Sequence, residues 1–266
     1  MVDRGSLNHD FHDMRSSIVC GFAGASMLLL VATDSLGQQD TRALPSAEAA
    51  YSYALGVTLG GKKSETIDKR VGPVRAIVTC SDADSSKLVQ DAVAAINDAF
   101  GYGKIALSES EETELKDDAI SIFIGSKSQG RQLVERFGVS SPRTFGSGVY
   151  YYWWDDRQRN HIRRCLIAID VTSPSERKAQ DLRYLLMACM GFKTPWLSSQ
   201  SHPEGRGQES HQTSLFSDLG TAVVRFFDKH VDPGMRAHEM RRAFKVEWPD
   251  FSSAYWNPSA QNVDQR

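Results

Sequence analysis

Seven histidines are the side chains of this sequence best suited to hold a catalytic metal, so their spacing is the first guide to function. His238 and Glu239 begin an HExxH-like string, but Arg242 occupies the second histidine position and would repel a cation. His202 and His211 lie in a polar stretch of glycine, serine and glutamine, which is typical of a solvated loop. The spacing therefore predicts no metal centre and no other cofactor.

The histidines leave one enzymatic alternative open, a divergent metal-dependent hydrolase. Its ligands would come from the loop at 193–213 and from later histidines, and the candidates are His202, His211, His230 and His238. At least three of these side chains would have to converge, because a catalytic zinc ion uses about three protein ligands.

Other catalytic and phosphate-binding motifs are incomplete in this sequence. The string at 146–148, Gly-Ser-Gly, lacks the GxSxG spacing of a serine hydrolase. Residues 56–62 fit GxxxxGK, but Lys63 stands where a hydroxyl would have to reach Mg²⁺ in a phosphate-binding loop. We therefore expect neither activity from these two strings.

The charge balance argues against nucleic acid as a partner. Lysine plus arginine number 31 and aspartate plus glutamate number 33 among 266 residues, which gives a formal net charge of -2. Such a chain offers no broad electrostatic attraction for a polyanion.

The amino-terminal segment has the pattern of a secretory signal peptide. Residues 18–32 are apolar or small, about 15 in number, which is fewer than the roughly 20 that a spanning helix needs. A small-x-small triplet at 35–37 fits signal peptidase, and acidic residues before Met14 favour translation from that methionine. We predict a signal peptide over 1–37 and no integral membrane domain after its cleavage, with a retained anchor as the second interpretation.

The rest of the chain divides into a tether, one domain and a tail. Residues 38–63 are interpreted as a polar tether with room for one short helix, 64–250 as a single globular domain, and 251–266 as a loosely ordered tail. Cys80, Cys165 and Cys189 lie outside the leader, so an oxidising compartment allows at most one internal disulfide, and three reduced, buried cysteines are the alternative.

Hydrophobic periodicity predicts both strands and helices within this domain. The predicted strands lie at 73–80, 104–107 and 119–124, followed by a hairpin of 149–154 with 162–169. Predicted helices follow the first strand, cover 130–137, begin near Ser173 and end at Gly191, and occupy 218–230 and 234–244.

Five consecutive aromatic residues at 150–154 form the most unusual feature of the sequence. Strand alternation places Tyr151 and Trp153 on one face and Tyr150, Tyr152 and Trp154 on the other. One set would fill the core while the other offers a stacking surface for a glycan or an extended peptide. Coverage of both faces by helices is the competing interpretation, and it agrees with how often aromatic residues simply pack.

Three strings in a fixed order resemble a bacterial family of secreted proteins and lipoproteins whose domain has no known function. They are Lys-Arg-Val-Gly-Pro-Val-Arg at 69–75, Met-Gly-Phe at 190–192, and Ser-Leu-Phe-Ser-Asp at 214–218 followed by Asp-Pro-Gly-Met at 232–235. That family in turn looks like a relative of zinc metallopeptidases (zincins). The resemblance implies an α+β fold with a small twisted mixed sheet, packed helices and a metallopeptidase-like scaffold.

The same resemblance argues against catalysis. Counting back from Gly191, the HExxH positions fall on Tyr184, Leu185 and Ala188, none of which can bind zinc or activate water. We therefore expect an exported, non-catalytic binding or structural module of the cell envelope, periplasmic or secreted. Its partner would be an extended peptide, added as a strand to the hairpin's edge strand, or a glycan.

The predicted site is a groove between the aromatic hairpin and the helix that carries Tyr184. Tyr152 and Trp154 would form its stacking surface, Tyr184 its floor, and Arg163 and Arg164 would bind anionic or carboxylate groups of the ligand.

Overall fold

The computed structural model describes residues 44–62, 65–80, 82–193 and 215–257. These ranges contain the following elements in chain order: α1 (Ala47–Leu59), β1 (Val74–Cys80), α2 (Ala83–Phe100), β2 (Ile105–Glu109), β3 (Ala119–Gly125), α3 (Lys127–Arg136), β4 (Arg143–Phe145), β5 (Gly148–Trp154), β6 (Ile162–Asp170), α4 (Ser175–Cys189), α5 (Asp218–His230) and α6 (Ala237–Trp256). None of the helices described is long and apolar enough to cross a membrane.

Six strands form one mixed sheet in the order β2-β1-β3-β6-β5-β4. β2, β1, β3 and β6 run parallel to one another, β5 is antiparallel to β6, and β4 is antiparallel to β5. β3 is central and almost wholly buried, as its continuous apolar sequence predicts. The prediction of an α+β fold with a mixed sheet and packed helices is confirmed.

Helices cover both faces of the sheet. On one face the main core joins the sheet to α1, α2, α4, α5 and α6. On the other face a smaller cluster joins α3 to residues of β5 and β6. Local sequence sets the helix ends: the Asp82 carboxylate caps α2 by accepting from the Ser85 N–H at 2.7 Å, and Gly101 ends α2 with a left-handed backbone.

The predicted tether contains a core helix. Ser46 caps α1 by accepting from the Ala49 N–H, and Ala50, Ala54 and Leu59 are fully buried in the main core. The folded unit therefore begins well before the predicted start near Ser64. Small and apolar residues alternate along α1 without a clear stripe, so periodicity did not distinguish this helix from a loosely packed segment.

The predicted tail also begins too early. α6 continues to Trp256, and the side chains of Phe251, Tyr255 and Trp256 pack against the main core. Residues 258–266 of the predicted tail, like the predicted signal peptide, lie outside the described residues.

The buried segment before β1 forms hydrogen bonds with the carboxyl ends of α5 and α4. The Lys69 ammonium donates to the carbonyl oxygens of Phe227, Asp228 and Val231 at the end of α5, at 2.7 to 3.1 Å. Burial lowers the pKa of Lys69 to about 8. These bonds bring a charged donor to carbonyl oxygens at the end of α5, of which that of Phe227 also accepts from the Val231 N–H.

Arg70 makes the equivalent connection to α4. Its guanidinium donates to the carbonyl oxygens of Cys189 at 3.3 Å and of Arg163 at 2.9 Å, while burial lowers its pKa to about 10. The chain passes so close to the end of α4 that a Cβ at Gly191 would collide with the carbonyl oxygen of Asp68. Gly191 also has a φ of 108°, so both the close contact and the backbone conformation require glycine there.

Candidate functional site

The aromatic strand β5 divides its side chains between the two faces as strand alternation predicts. Tyr150 and Tyr152 belong to the main core, whereas Tyr151 and Trp153 pack on the smaller cluster beneath α3. Tyr152 is only 6% exposed, so it is a core residue and the prediction that it forms a stacking surface is wrong. The competing interpretation, that helices cover both faces of this strand, holds for most of its residues.

The predicted groove between the hairpin and α4 is filled by side chains. Leu185 of α4 lies so close to Gly148 of β5 that a Cβ on that glycine would sit 2.6 Å from its Cδ1 atom. Open grooves lie elsewhere on the described surface, one of about 520 Å³ beside Cys80 and one of about 640 Å³ between α1 and α6. Surface on the hairpin side includes the end and the outer edge of β5, and a groove of about 420 Å³ beside the hairpin turn lined by Asp118, Asp155, Asp156, Arg157 and Arg163.

Trp154 is the most exposed aromatic residue of this strand. It is 42% exposed at the end of β5, with its ring edge-on to Tyr152 at a centroid distance of 5.3 Å. A register shift between Trp153 and Trp154 accompanies this exposure. Of the two predicted stacking residues, Trp154 alone is placed where a ligand could contact it.

The two predicted arginines on β6 are already paired within the chain. Arg163 donates to Asp117 at 2.8 Å and lies 4.0 Å from Asp155. Arg164 lies 3.5 Å from the other oxygen of Asp117, with its guanidinium 5.5 Å from the ring centre of Trp153. Their charges are met by carboxylates of this protein, which leaves less attraction for a ligand's carboxylate.

The positions that would carry HExxH lie on the middle of α4. Leu185 and Ala188 are buried in the main core, and Tyr184 is half-buried. Tyr53 of α1 lies near Tyr184, and burial, followed by the influence of Tyr184, raises the pKa of Tyr53. α4 thus presents one phenol and two aliphatic side chains at the positions that the resemblance matches to the two histidines and the glutamate of HExxH.

A disulfide fixes α4 to the sheet. Cys165 of β6 and Cys189 at the end of α4 are bonded, with their Cα atoms 5.8 Å apart, and Cys80 is free. The cysteine count had left this pairing open. Both residues are fully buried, in keeping with the structural role predicted from their apolar surroundings.

A polar network that sequence reasoning missed lies below the outer strands. Arg143 of β4 donates to the Tyr152 hydroxyl at 3.2 Å, and its guanidinium lies 5.0 Å from the centre of that ring. Asp68 accepts weakly from the Tyr152 hydroxyl at 3.4 Å and from the Asn160 amide at 2.8 Å. Burial raises the pKa of Tyr152. Asp68 and Tyr152 are 84 positions apart, so no local spacing could have joined them.

The outer edge of β5 is covered over only part of its length. β4 pairs with it from Gly148 to Tyr150, with Arg143 opposite Tyr150. Within the described ranges no strand pairs with the outer side of β5 from Tyr151 to Trp154. Unpaired strand edges are sites where another chain can add.

The histidines of the alternative are only partly described. The His230 ring stacks on Phe226 at 4.6 Å and its Nδ1 bonds to Glu247, while His238 is exposed on α6. His202 and His211 lie outside the described residues. Among the residues that are described, no group of three or more histidine, cysteine or acidic side chains could hold a metal ion.

Comparison with known proteins adds no relative. No family model matches the chain, no curated protein matches it, and no solved structure matches it.

Proposed function

We propose that this protein is an exported, non-catalytic binding module of the bacterial cell envelope, built on a metallopeptidase-like scaffold and binding an extended peptide. The non-catalytic part of this proposal rests on the side chains of α4. Leu185 and Ala188 lie in the core at two of the three HExxH positions, and Tyr184 at the third is half-buried. A zinc ion and its activated water would need ligands and a general base there.

The arrangement of the sheet supports the metallopeptidase-like scaffold. α4 follows β6 directly and packs beneath β5 and β6, which is where the resemblance puts the former zinc helix. Two of the three resembling strings also serve this arrangement. Lys69 and Arg70 of the first string fasten the ends of α5 and α4, and Gly191 of the second allows their close approach.

The cysteine pairing supports export. A disulfide between Cys165 and Cys189 suits an oxidising compartment, since cytosolic thiols are generally kept reduced. The leader pattern over 1–37 points to the same destination.

The edge of β5 supports a peptide as the ligand. A peptide that pairs with residues 151–154 would continue the sheet outward from the point where β4 leaves it. Trp154 at the far end of this edge would cover an apolar side chain of the peptide. We name this surface, residues 151–154 of β5 together with Arg143, the β5 edge site.

The binding test uses a fluorescein-labelled peptide of alternating valine and threonine, which favours an extended conformation. We expect saturable binding to the mature protein by fluorescence polarisation, and about tenfold weaker binding to Trp154→Ala, since a buried aromatic contact is worth about 1 kcal/mol or more. The Trp154→Ala variant should keep its free energy of unfolding within about 1 kcal/mol, because that side chain is largely a surface group.

Two controls separate strand addition from nonspecific hydrophobic binding of the peptide. Leu107→Ala removes an apolar side chain, 38% exposed, from the opposite edge of the same sheet and should leave binding unchanged. A peptide N-methylated at every residue has no N–H to donate to β5 and should not bind. Equal binding of the methylated peptide would overturn the peptide proposal. Binding to purified peptidoglycan and to neither peptide would also overturn it, and would favour a glycan as the ligand.

A further inference from the structure

Arg143 differs from the other arginines near the β5 edge site in its partners. Arg163 and Arg164 both pair with Asp117, whereas the described contacts of the Arg143 guanidinium are with the phenols of Tyr150 and Tyr152. No carboxylate of the described residues forms an ion pair with it, and Arg143 is exposed. A neutral phenol can orient a guanidinium, but it cannot neutralise the charge.

The direction of β4 specifies which end of a bound peptide would meet this charge. β4 is antiparallel to β5, so Arg143, its first residue, lies opposite Tyr150, where the uncovered edge begins. A peptide antiparallel to residues 151–154 runs in the same direction as β4. Its carboxyl end then lies beside Arg143, and its amino end lies beside Trp154.

The chain leaves this edge free immediately before β4. Pro142 precedes Arg143 and has no N–H to donate to a strand. Val139, three residues earlier, is buried beneath α3 with Tyr151 and Trp153. The approach to β4 therefore comes from the α3 face of the sheet, while Arg143 itself contacts Tyr152 on the opposite face.

We propose that Arg143 determines ligand specificity at the β5 edge site by binding the terminal carboxylate of a peptide that pairs antiparallel with β5. This inference rests on the proposed function and adds the class of ligand, a peptide with a free carboxyl terminus. An arginine guanidinium suits this role because its fork of donors matches the two oxygens of a carboxylate. The contacts with Tyr152, one hydrogen bond and one ring face, hold the fork in place before the ligand arrives.

The test compares the valine-threonine peptide with a free carboxylate and with a terminal amide. We expect the mature protein to bind the acid about tenfold more tightly than the amide, because a charge-assisted bidentate pair is lost in the amide. In Arg143→Gln the two affinities should become equal. Arg143→Lys should keep a preference for the acid, reduced because the fork is lost.

The matched control is Arg163→Gln, which removes an arginine of the neighbouring strand that is already paired with Asp117. This variant should keep the preference for the acid. Equal binding of acid and amide by the unmodified protein, or a preference that survives in Arg143→Gln, would overturn the role of Arg143 while leaving peptide binding intact. Failure of both peptides to bind would instead overturn the proposed function.

Discussion

Lys69 and Arg70 are buried cations whose hydrogen bonds go to backbone carbonyls at the ends of α5 and α4. They belong to the string at 69–75. Their contacts give that string a structural role in the fold. Each places a positive charge at a helix carboxyl end, where unpaired carbonyls and the helix dipole favour it.

Arg70 gives the prediction at the scale of one residue. Arg70→Met keeps most of the buried volume but leaves the carbonyl oxygens of Cys189 and Arg163 without a donor, so we expect a loss of about 2–4 kcal/mol in the free energy of unfolding. Urea denaturation measures this loss. The matched control is Arg75→Met, an exposed arginine of the same string, which should change stability by less than about 0.5 kcal/mol. Equal effects of the two variants would contradict the fastening role of Arg70.

Single residues of the candidate site were predictable to different degrees. The alternation of β5 correctly separates Tyr151 and Trp153 from Tyr150 and Tyr152, because a strand has a period of two. Strand alternation alone does not predict which face of β5 is covered by a helix. In the structure α4 covers the face that holds Tyr152. Arg143 has no sequence signal of its own, since its role depends on where β4 begins.

At the scale of elements, α4 is held by the core, by Arg70 and by a disulfide. Its apolar stripe and its end at Gly191 were predicted from sequence, and α4 spans Ser175–Cys189. β4 was not predicted, and α1 was predicted only as one short helix within a tether. β4 has only three residues, too few for any periodicity, and the short apolar pattern of α1 resembles a tether until α5 and α6 are seen to pack against it.

The disulfide gives the prediction at this scale. Replacing Cys165 and Cys189 together by alanine should lower the free energy of unfolding by about 3 kcal/mol, since the bond closes a loop with a sequence separation of 24. Replacing Cys80, the free cysteine, should cost less than about 1 kcal/mol.

Thiol titration checks the same pairing without mutation. Mature protein unfolded without reductant should show one reactive thiol, that of Cys80, and reductant should release two more. Three reactive thiols in freshly isolated, unreduced protein would contradict both the pairing and an oxidising destination.

At the scale of the whole molecule, the two edges of the sheet differ. One edge is β2, a parallel strand five residues long, and the other carries the short β4 beside the uncovered end of β5. The proposed binding site lies at the second edge, because Trp154 and Arg143 both belong to it. The sequence predicts the aromatic strand and its hairpin with β6. The position of β5, one strand from the edge of the sheet, is seen only in the strand order.

The central claim is that the scaffold works without a metal. It is tested most directly by elemental analysis of the purified mature protein, prepared without a histidine tag, after incubation with zinc and dialysis. We predict no stoichiometric zinc, because none of Tyr184, Leu185 and Ala188, the positions that the proposed resemblance matches to HExxH, can bind zinc or activate water. About one zinc ion per chain, lost in a variant with His202 and His211 changed to alanine, would contradict the account and establish the hydrolase alternative's metal site.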